Sequence, residues 1–169
     1  MRTRKAILPD APAIYELIQQ YTHDGTLLPR SLQEICENVR DFTVVEERGK
    51  VIATAALHIY GIGLAEVRSV AVDRHSHGRD AGTRLVKGLI EESKVHDIGR
   101  VFCFTRVPDF FAKLGFVTVP HSTMPEKVMK DCLNCSRRNA CDEIAMVFDQ
   151  NGAYITPQAE ESTPLRIFQ

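Results

Sequence analysis

Residues 70–85 read VAVDRHSHGRDAGTRL. A valine-rich strand, predicted over residues 66–73, runs into a loop with two glycines and then into a helix whose apolar residues recur at helical spacing. Backbone N–H groups at a helix start lack intrahelical partners and carry partial positive charge, so they suit a phosphate or pyrophosphate. Basic side chains surround the loop at Arg74, His77, Arg79 and Arg84. An anion-binding loop is one interpretation, and a plain connection with a solvated basic rim is the alternative that these residues leave open.

Hydrophobic periodicity on both sides of this segment predicts an alternation of strands and helices. The predicted strands cover residues 2–7, 42–46, 51–59, 66–73, 100–105, 116–119 and 143–148. Helices are predicted around residues 14–21, 32–39, 85–90, 108–114 and 125–133. Antiparallel strands come first and a strand–loop–helix–strand unit follows, which favours an α/β (α+β) fold with one mixed sheet.

Length and composition indicate one globular domain. The chain has 169 residues, of which 44% are hydrophobic and 25% charged, with a net charge of −1. We expect a domain over residues 1–149 and a polar tail over residues 150–169 that is mobile or packed on a neighbour. The net charge disfavours a nucleic-acid partner. No apolar run approaches the ~20 residues of a membrane span. The basic N-terminal residues 1–5 are not followed by the apolar segment of a signal peptide. A cytoplasmic protein without a membrane partner is therefore expected.

The five cysteines fit reduced thiols better than a disulfide framework, since their number is odd and three are clustered. The cluster reads Cys132-x-x-Cys135-x5-Cys141. The spacing of its first pair suits a metal, with His121 or Asp131 as a fourth ligand, but a second pair is missing. The alternative is a reduced loop or a disulfide formed on oxidation, and no metal is predicted.

The loop after the valine-rich strand resembles the acetyl-CoA loop of the GNAT acyltransferase superfamily. The GNAT pattern is Gln/Arg-x-x-Gly-x-Gly/Ala, and its three specified positions fall on His77, Asp80 and Gly82, of which Gly82 matches strictly. The stretch PDFFAKLGF, residues 108–116, resembles the later GNAT helix that closes with a Leu-Gly-Phe turn.

Three further stretches resemble the acetyltransferase domain of N-acetylglutamate synthases and the short amino-acid N-acetyltransferases of arginine biosynthesis. They are GTLLPRS (25–31), AEVRSVAV (65–72) and MPEKVMKDC (124–132), followed by Cys135, Cys141 and DEIAM (142–146). Because no amino-acid kinase domain precedes these stretches, we expect the short amino-acid N-acetyltransferase form. The resemblance implies a single-domain, mostly antiparallel mixed sheet flanked by helices, with a splayed strand pair for acetyl-CoA.

The implied activity is transfer of an acetyl group from acetyl-CoA to the α-amino group of an amino acid. L-Glutamate is the expected acceptor, as in the first step of arginine biosynthesis. Two alternatives stay open: acetylation of another small amine, and a CoA-binding regulatory module. The resemblance also leaves a homodimer open.

The resemblance implies that acetyl-CoA enters a V-shaped opening between the fourth and fifth strands. Backbone groups of Val70 and Val72 would pair with its pantetheine arm, as an added strand does. The pyrophosphate would lie over His77, Gly78, Arg79, Asp80, Ala81, Gly82 and Thr83. A carboxylate near a diphosphate repels it. Two alternatives for Asp80 stay open: it caps the helix with its side chain turned away from the ligand, or the affinity for CoA is lower than for a strict GNAT loop.

Glu66 stands where many GNAT enzymes place a general base, so the resemblance implies that role for it. On a regular strand Glu66, Arg68 and Val70 share one face. A guanidinium stabilises the charged form of a carboxylate and weakens it as a base. We therefore expect Arg68 to bind a substrate carboxylate, with a simple ion pair to Glu66 as the alternative. From the residues alone, Glu66 could also be a solvated strand carboxylate.

Arginine recognises carboxylates by paired hydrogen bonds, and the expected acceptor carries two carboxylates. Arg30 occupies the position of an arginine of the amino-acid pocket in the resembling synthases, and Arg106 and Lys127 are further candidates. Many GNAT enzymes carry a tyrosine as general acid where this chain has Phe110 and Phe111, which cannot donate a proton. The nearest polar candidates are Cys103 and Thr105, for which packing is the simpler role.

Overall fold

The computed structural model describes residues 1–124, 132–135 and 140–151. Within these residues each predicted strand has a counterpart: β1 (Arg2–Lys5), β2 (Phe42–Glu47), β3 (Lys50–Gly61), β4 (Leu64–Val72), β5 (Arg100–Thr105), β6 (Val117–Thr118) and β7 (Ile144–Asp149). The helices are α1 (Ala11–Gln19), α2 (Leu32–Glu37), α3 (Ala81–Val95) and α4 (Pro108–Ala112). Most of the helix predicted over 125–133, and residues 152–169 of the predicted tail, lie outside the described residues.

All seven strands belong to one sheet in the order β1-β2-β3-β4-β5-β7-β6. Strands β4 and β5 are parallel, and every other neighbouring pair is antiparallel. The parallel pair is joined by α3, as a parallel connection requires a crossover. The predicted mixed, mostly antiparallel sheet flanked by helices is confirmed.

Helices cover both faces of the sheet. Successive side chains of a strand point to opposite faces, and the central strands carry apolar side chains on both faces. One face packs against α3, and its buried core includes Val45, Ala55, Leu57, Val67, Leu85 and Leu89. The other face packs against α1 and α2 through Phe42, Val44, Ala56, Ile14, Ile18 and Ile35. The apolar face predicted for α1 is therefore a core face.

Strands β4 and β5 separate partway along their length. They pair only over residues 64–66 and 100–102, although β4 continues to Val72 and β5 to Thr105. The gap beyond Glu66 and Phe102 is the predicted V-shaped opening between the fourth and fifth strands.

A β-bulge in β4 lies at the start of this opening. Ala56 pairs with Arg68 and Thr54 with Ala71, so Ser69 and Val70 together oppose Ala55. Ser69 has φ of 54°, in the left-handed region that a bulge can require. Bulges bend the strand that carries them and increase its twist, which accounts for β4 leaving β5 at this point.

The bulge corrects the expectation that Glu66 and Val70 share a face. Val70 packs against the α3 core together with Val67, whereas Glu66 lines a pocket on the other side of the strand. The extra residue shifts the alternation, so every side chain beyond it changes sides.

Candidate active site

The loop between β4 and α3 is shaped by two residues in left-handed conformation. Gly78 has φ of 78° and Asp80 has φ of 64°, and α3 begins directly afterwards at Ala81. The Asp80 side chain makes no capping hydrogen bond to the helix. Of the two alternatives for Asp80, capping of α3 is therefore excluded, because its left-handed backbone differs from the extended conformation in which an N-cap side chain reaches the helix amides.

Tyr21 joins the end of α1 to this loop. Its hydroxyl donates to the Val72 carbonyl oxygen at 2.5 Å and lies 2.6 Å from Nε2 of His77. Burial raises the pKa of the Tyr21 hydroxyl, so it stays a proton donor at neutral pH. The Val72 carbonyl oxygen thus accepts from Tyr21 and also lies 3.3 Å from Nε2 of His77, so pairing of Val72 backbone groups with the pantetheine arm stays a prediction.

The basic side chains of the loop have protein partners on neighbouring elements. The Arg79 Nη1 atom lies 2.5 Å from Oε2 of Glu47. The Arg74 guanidinium lies over the Tyr21 ring at 5.3 Å and contacts Asp24 at 3.2 Å. Both arginines therefore flank the loop while being held by residues of β2 and of the segment after α1.

An apolar cleft follows the gap between β4 and β5. Its walls are Val67, Val70, Phe104, Thr105, Phe110 and Phe111. Gly82 lies beside it, since a Cβ there would be 3.4 Å from Cζ of Phe110 and 3.6 Å from Cγ2 of Val72. The start of α3, with its amides, thus adjoins one end of a cleft long enough to cross from the loop to Phe104.

A second, more polar pocket adjoins the cleft at Leu27, Arg68, Ser69 and Phe104, which line both. The remaining walls are Leu28, Arg30, Glu66 and Glu143. Glu66 is 2% exposed. Its Oε2 atom accepts a hydrogen bond from the Tyr60 hydroxyl at 3.1 Å and lies 3.8 Å from Nη1 of Arg68. A buried carboxylate therefore lies in the polar pocket, next to Arg68, which lines both the pocket and the cleft.

Two of the predicted substrate-binding arginines lie in this pocket. Arg30 donates from Nε to the Ser69 hydroxyl at 2.9 Å and forms an ion pair with Glu34. Arg68 enters from β4 beside Glu66. The bulge residue Ser69 thus fixes the loop before α2 against β4, and the pocket carries two guanidinium groups next to Glu66.

Arg106, a further predicted substrate residue, does not line this pocket. Arg106 lines the apolar cleft, where its guanidinium donates to Asp142 at 2.7 and 2.8 Å and to the Gly25 carbonyl oxygen. Asp142 raises the pKa of Arg106. A direct role of Arg106 toward substrate stays a prediction, and Lys127 lies outside the described residues.

The polar candidates for a general acid are engaged elsewhere. Cys103 belongs to the α3 core, and burial together with the charge of Glu66 raises the pKa of its thiol. The Thr105 hydroxyl accepts a hydrogen bond from the Val107 amide at 3.0 Å. Both observations agree with the packing roles expected for them.

All five cysteines have free thiols, Cys132, Cys135 and Cys141 among them. Within the described ranges no cluster of three or more His, Cys, Asp or Glu side chains could hold a metal ion. Asp131 is not among those residues, and the Nε2 atom of His121 lies 2.8 Å from the Glu143 carbonyl oxygen.

Three residues of the site were missed by the sequence analysis: Tyr21, Tyr60 and Glu143. Strand alternation could have found Tyr60, since it lies two residues after His58, the cross-strand partner of Glu66. Tyr21 was predicted only as part of an apolar helix face. No local pattern marks Glu143, which comes from the segment before β7.

Comparison with known proteins assigns this architecture to a family. Residues 11–116 match the model of the acetyltransferase (GNAT) family. An uncharacterized N-acetyltransferase, CT2212 of Chlorobaculum tepidum, is 38% identical over 85% of this chain and 93% of its own length. An amino-acid acetyltransferase of Mycobacterium tuberculosis is 33% identical over 76% of this chain and 75% of its own length.

Solved structures give the same assignment. Rv2747 from Mycobacterium tuberculosis, solved with CoA and the compound NLQ, superposes with a TM-score of 0.77 at 29% identity, covering 88% of this chain and 99% of Rv2747. N-acetylglutamate synthase from Neisseria gonorrhoeae, complexed with coenzyme A and N-acetyl-glutamate, has a TM-score of 0.80 at 26% identity. The match covers 88% of this chain but 35% of that synthase.

The chain belongs to the acetyltransferase (GNAT) family. This confirms the predicted fold family and the predicted enzyme class, an acetyltransferase that uses acetyl-CoA as co-substrate. Among the described residues, no helix has the length and apolar character needed to cross a bilayer.

Proposed function

We propose that the protein transfers the acetyl group of acetyl-CoA to the α-amino group of an amino acid, with L-glutamate as acceptor, as in the first step of arginine biosynthesis. One observation carries this proposal. The buried carboxylate of Glu66 lies in a pocket with two arginines, one of which, Arg68, also lines the adjoining apolar cleft. A thioester and an amino acid that entered from the two sides would meet at Glu66.

The apolar cleft suits the pantetheine arm of acetyl-CoA. Its walls are formed by valine and phenylalanine side chains, and the start of α3 adjoins it at Gly82. Helix-start amides favour the diphosphate, with His77 to Thr83 as the proposed contacts. The CoA complexes of Rv2747 and of the gonococcal synthase support this use of the fold.

The proposed reaction is direct transfer between the two bound substrates. Glu66 accepts a proton from the α-ammonium group, and the amine nitrogen then attacks the thioester carbonyl carbon. A C–N bond forms and the C–S bond breaks. The CoA thiolate leaves and takes up the second proton, which the nitrogen loses as the amide forms. The developing oxyanion needs a hydrogen-bond donor aimed at the thioester carbonyl oxygen.

The acceptor pocket supports an acidic amino acid through its arginines. Arg30 and Arg68 line it together, and guanidinium groups bind carboxylates with paired hydrogen bonds. The names of the relatives point the same way, since one is an amino-acid acetyltransferase and another an N-acetylglutamate synthase. Glu34 and Glu66 offset part of the arginine charge, so an acceptor with one carboxylate is the second candidate.

The test is an initial-rate assay of CoA thiol release from acetyl-CoA, with products identified by mass spectrometry. The acceptors are L-glutamate, D-glutamate, L-glutamine, L-aspartate and an alkylamine without a carboxylate. Selective turnover of L-glutamate to its N-acetyl product is expected. Preference for L-glutamine or for the alkylamine would show that L-glutamate is not the acceptor. CoA binding without turnover of any amine would favour a binding module.

A further inference from the structure

Tyr60 lies at an irregularity of the β3–β4 register and, by alternation, on the same face of β3 as His58, the cross-strand partner of Glu66. Ile59 pairs with Ala65 and Gly61 pairs with Leu64, so Tyr60 is one extra residue in β3. Bulges of this kind re-aim side chains and are frequent next to active sites. The bulge at Tyr60 and the bulge at Ser69 therefore flank Glu66 on the two strands of one hairpin.

The ring of Tyr60 is held between two other rings. It contacts His58 edge-on, with centroids 5.2 Å apart, and Phe102 at 5.4 Å. His58 is itself fixed by Asp41, whose Oδ2 lies 2.8 Å from Nδ1 of the imidazole. These ring contacts restrict the orientation of the Tyr60 side chain independently of the hydrogen bond that its hydroxyl makes.

The Tyr60 hydroxyl donates to Oε2 of Glu66 at 3.1 Å, and the Nη1 atom of Arg68 lies 3.8 Å from that oxygen. A hydrogen bond to a buried carboxylate stabilises its charged form and limits its rotation. Among the described residues, further titratable groups near Glu66 include His58 on β3, Cys103 on β5, and Arg30 and Glu143 in the same pocket.

We propose that Tyr60 is a positioning residue for Glu66: its hydroxyl orients the carboxylate and keeps it ionised for accepting the proton of the acceptor amine. The inference rests on the proposed function of Glu66 as base. Packing alone does not require the hydroxyl, since phenylalanine would keep both ring contacts. The hydrogen bond to Glu66 is what a tyrosine adds at this position.

The test is Tyr60→Phe, which removes one oxygen atom and keeps the ring. We expect kcat to fall roughly 10-fold, as for loss of a hydrogen bond to a charged group, with unchanged affinity for acetyl-CoA. The acidic limb of the pH–kcat profile should move to higher pH, because the charged carboxylate loses a stabilising donor. Tyr15→Phe, in the cluster between α1 and the sheet, is the matched control and should change neither quantity.

Glu66→Gln and the double variant separate this inference from the proposed function. If Glu66→Gln is impaired and Tyr60→Phe adds nothing on that background, the positioning role is supported. If Glu66→Gln is impaired while Tyr60→Phe keeps the wild-type rate and acidic limb, the inference on Tyr60 is overturned and the base remains. A rate loss without a shift of the acidic limb also overturns it, since altered packing would give that result. If Glu66→Gln is fully active, Glu66 is not the base, and the proposed role of Glu66 is contradicted whatever the result for Tyr60→Phe.

Discussion

Glu66 combines a buried position with two neighbours that stabilise negative charge. The side chain is enclosed by the sheet and the pocket, yet Tyr60 donates to it and Arg68 lies 3.8 Å away. A carboxylate without partners is costly to bury. Tyr60 and Arg68 are the kind of polar partners that a buried carboxylate requires.

Replacing Glu66 by glutamine should lower kcat by roughly 10²–10⁴-fold. Glutamine keeps the size and hydrogen-bonding reach of the side chain but cannot accept the proton. The loss should shrink as pH rises, because more of the amine arrives deprotonated. Affinity for acetyl-CoA should change little, since the apolar cleft is untouched.

Steady-state kinetics across pH measure this effect. The matched control is Glu91→Gln, on the exposed side of α3, which should behave as the wild type. Near wild-type kcat for Glu66→Gln at neutral pH would show that transfer relies on positioning and on amine that ionises unaided.

Arg30 should act on binding more than on chemistry. Its side chain is 17% exposed and is held by Ser69 and Glu34, so the guanidinium is already oriented toward the pocket. Arg30→Ala should raise the KM for L-glutamate by an amount equivalent to about 2–5 kcal/mol for a buried carboxylate pair, with a smaller change in kcat. Exposed Arg40→Ala is the control, and an unaltered KM in Arg30→Ala would remove Arg30 from the acceptor pocket.

The start of α3 is the element proposed to hold the diphosphate. Gly82→Glu should weaken CoA binding, because the side chain adds bulk and negative charge beside the amides. Gly82→Ala is the matched control, since its Cβ would lie 3.4 Å from Phe110, an ordinary contact. Isothermal titration calorimetry with CoA should show a clear loss of affinity for the Gly82→Glu variant and a small loss for the Gly82→Ala variant. Equal affinities for Gly82→Glu and wild type would place the diphosphate elsewhere.

The strands could be predicted from the sequence because each has a local apolar pattern between turn residues. The opening between β4 and β5 followed from the resemblance, not from the pattern. The bulge at Ser69 could not be predicted, since RSVAV reads as regular alternation and a serine at positive φ has no strong sequence signal. That one residue reversed the expected face of Val70.

Long-range contacts within the site were the least predictable part. Glu66, Arg68 and Arg30 were expected in one site, and the structure brings them together. The contact of Tyr21 with His77 and the engagement of Arg106 by Asp142 depend on loops that meet only after folding. Periodicity reports the face of a side chain within its own element and does not specify which loop packs over it.

The stability of the whole domain should depend on an ion pair far from the site. Arg4 on β1 donates to Asp10 at 2.7 and 3.0 Å, and the Ile7 amide donates to the same carboxylate at 2.9 Å. Hydrogen bonding to Arg4 lowers the pKa of Asp10 below its ordinary value of 3.8. This stabilisation is therefore complete above that ordinary value and is lost as pH falls through the lowered one.

Asp10→Asn should lower the free energy of unfolding by about 1–3 kcal/mol at pH 7, as for a hydrogen bond to a charged group. The difference from wild type should shrink below about pH 4. Urea unfolding at both pH values measures it. Asp24→Asn, at an exposed ion pair with Arg74, is the control and should have a far smaller effect. A pH-independent difference would contradict the assigned role of the charge.

The central claim is that the gap between β4 and β5 delivers the thioester to Glu66. A crystal structure of the protein with CoA and the N-acetylated amino acid tests it most directly. We expect the diphosphate over the amides of residues 77–83, the pantetheine arm between β4 and β5, and the acetylated nitrogen within hydrogen-bond reach of Glu66, directly or through one water. A diphosphate away from the start of α3, or a product nitrogen on the far side of the sheet from Glu66, would contradict the account.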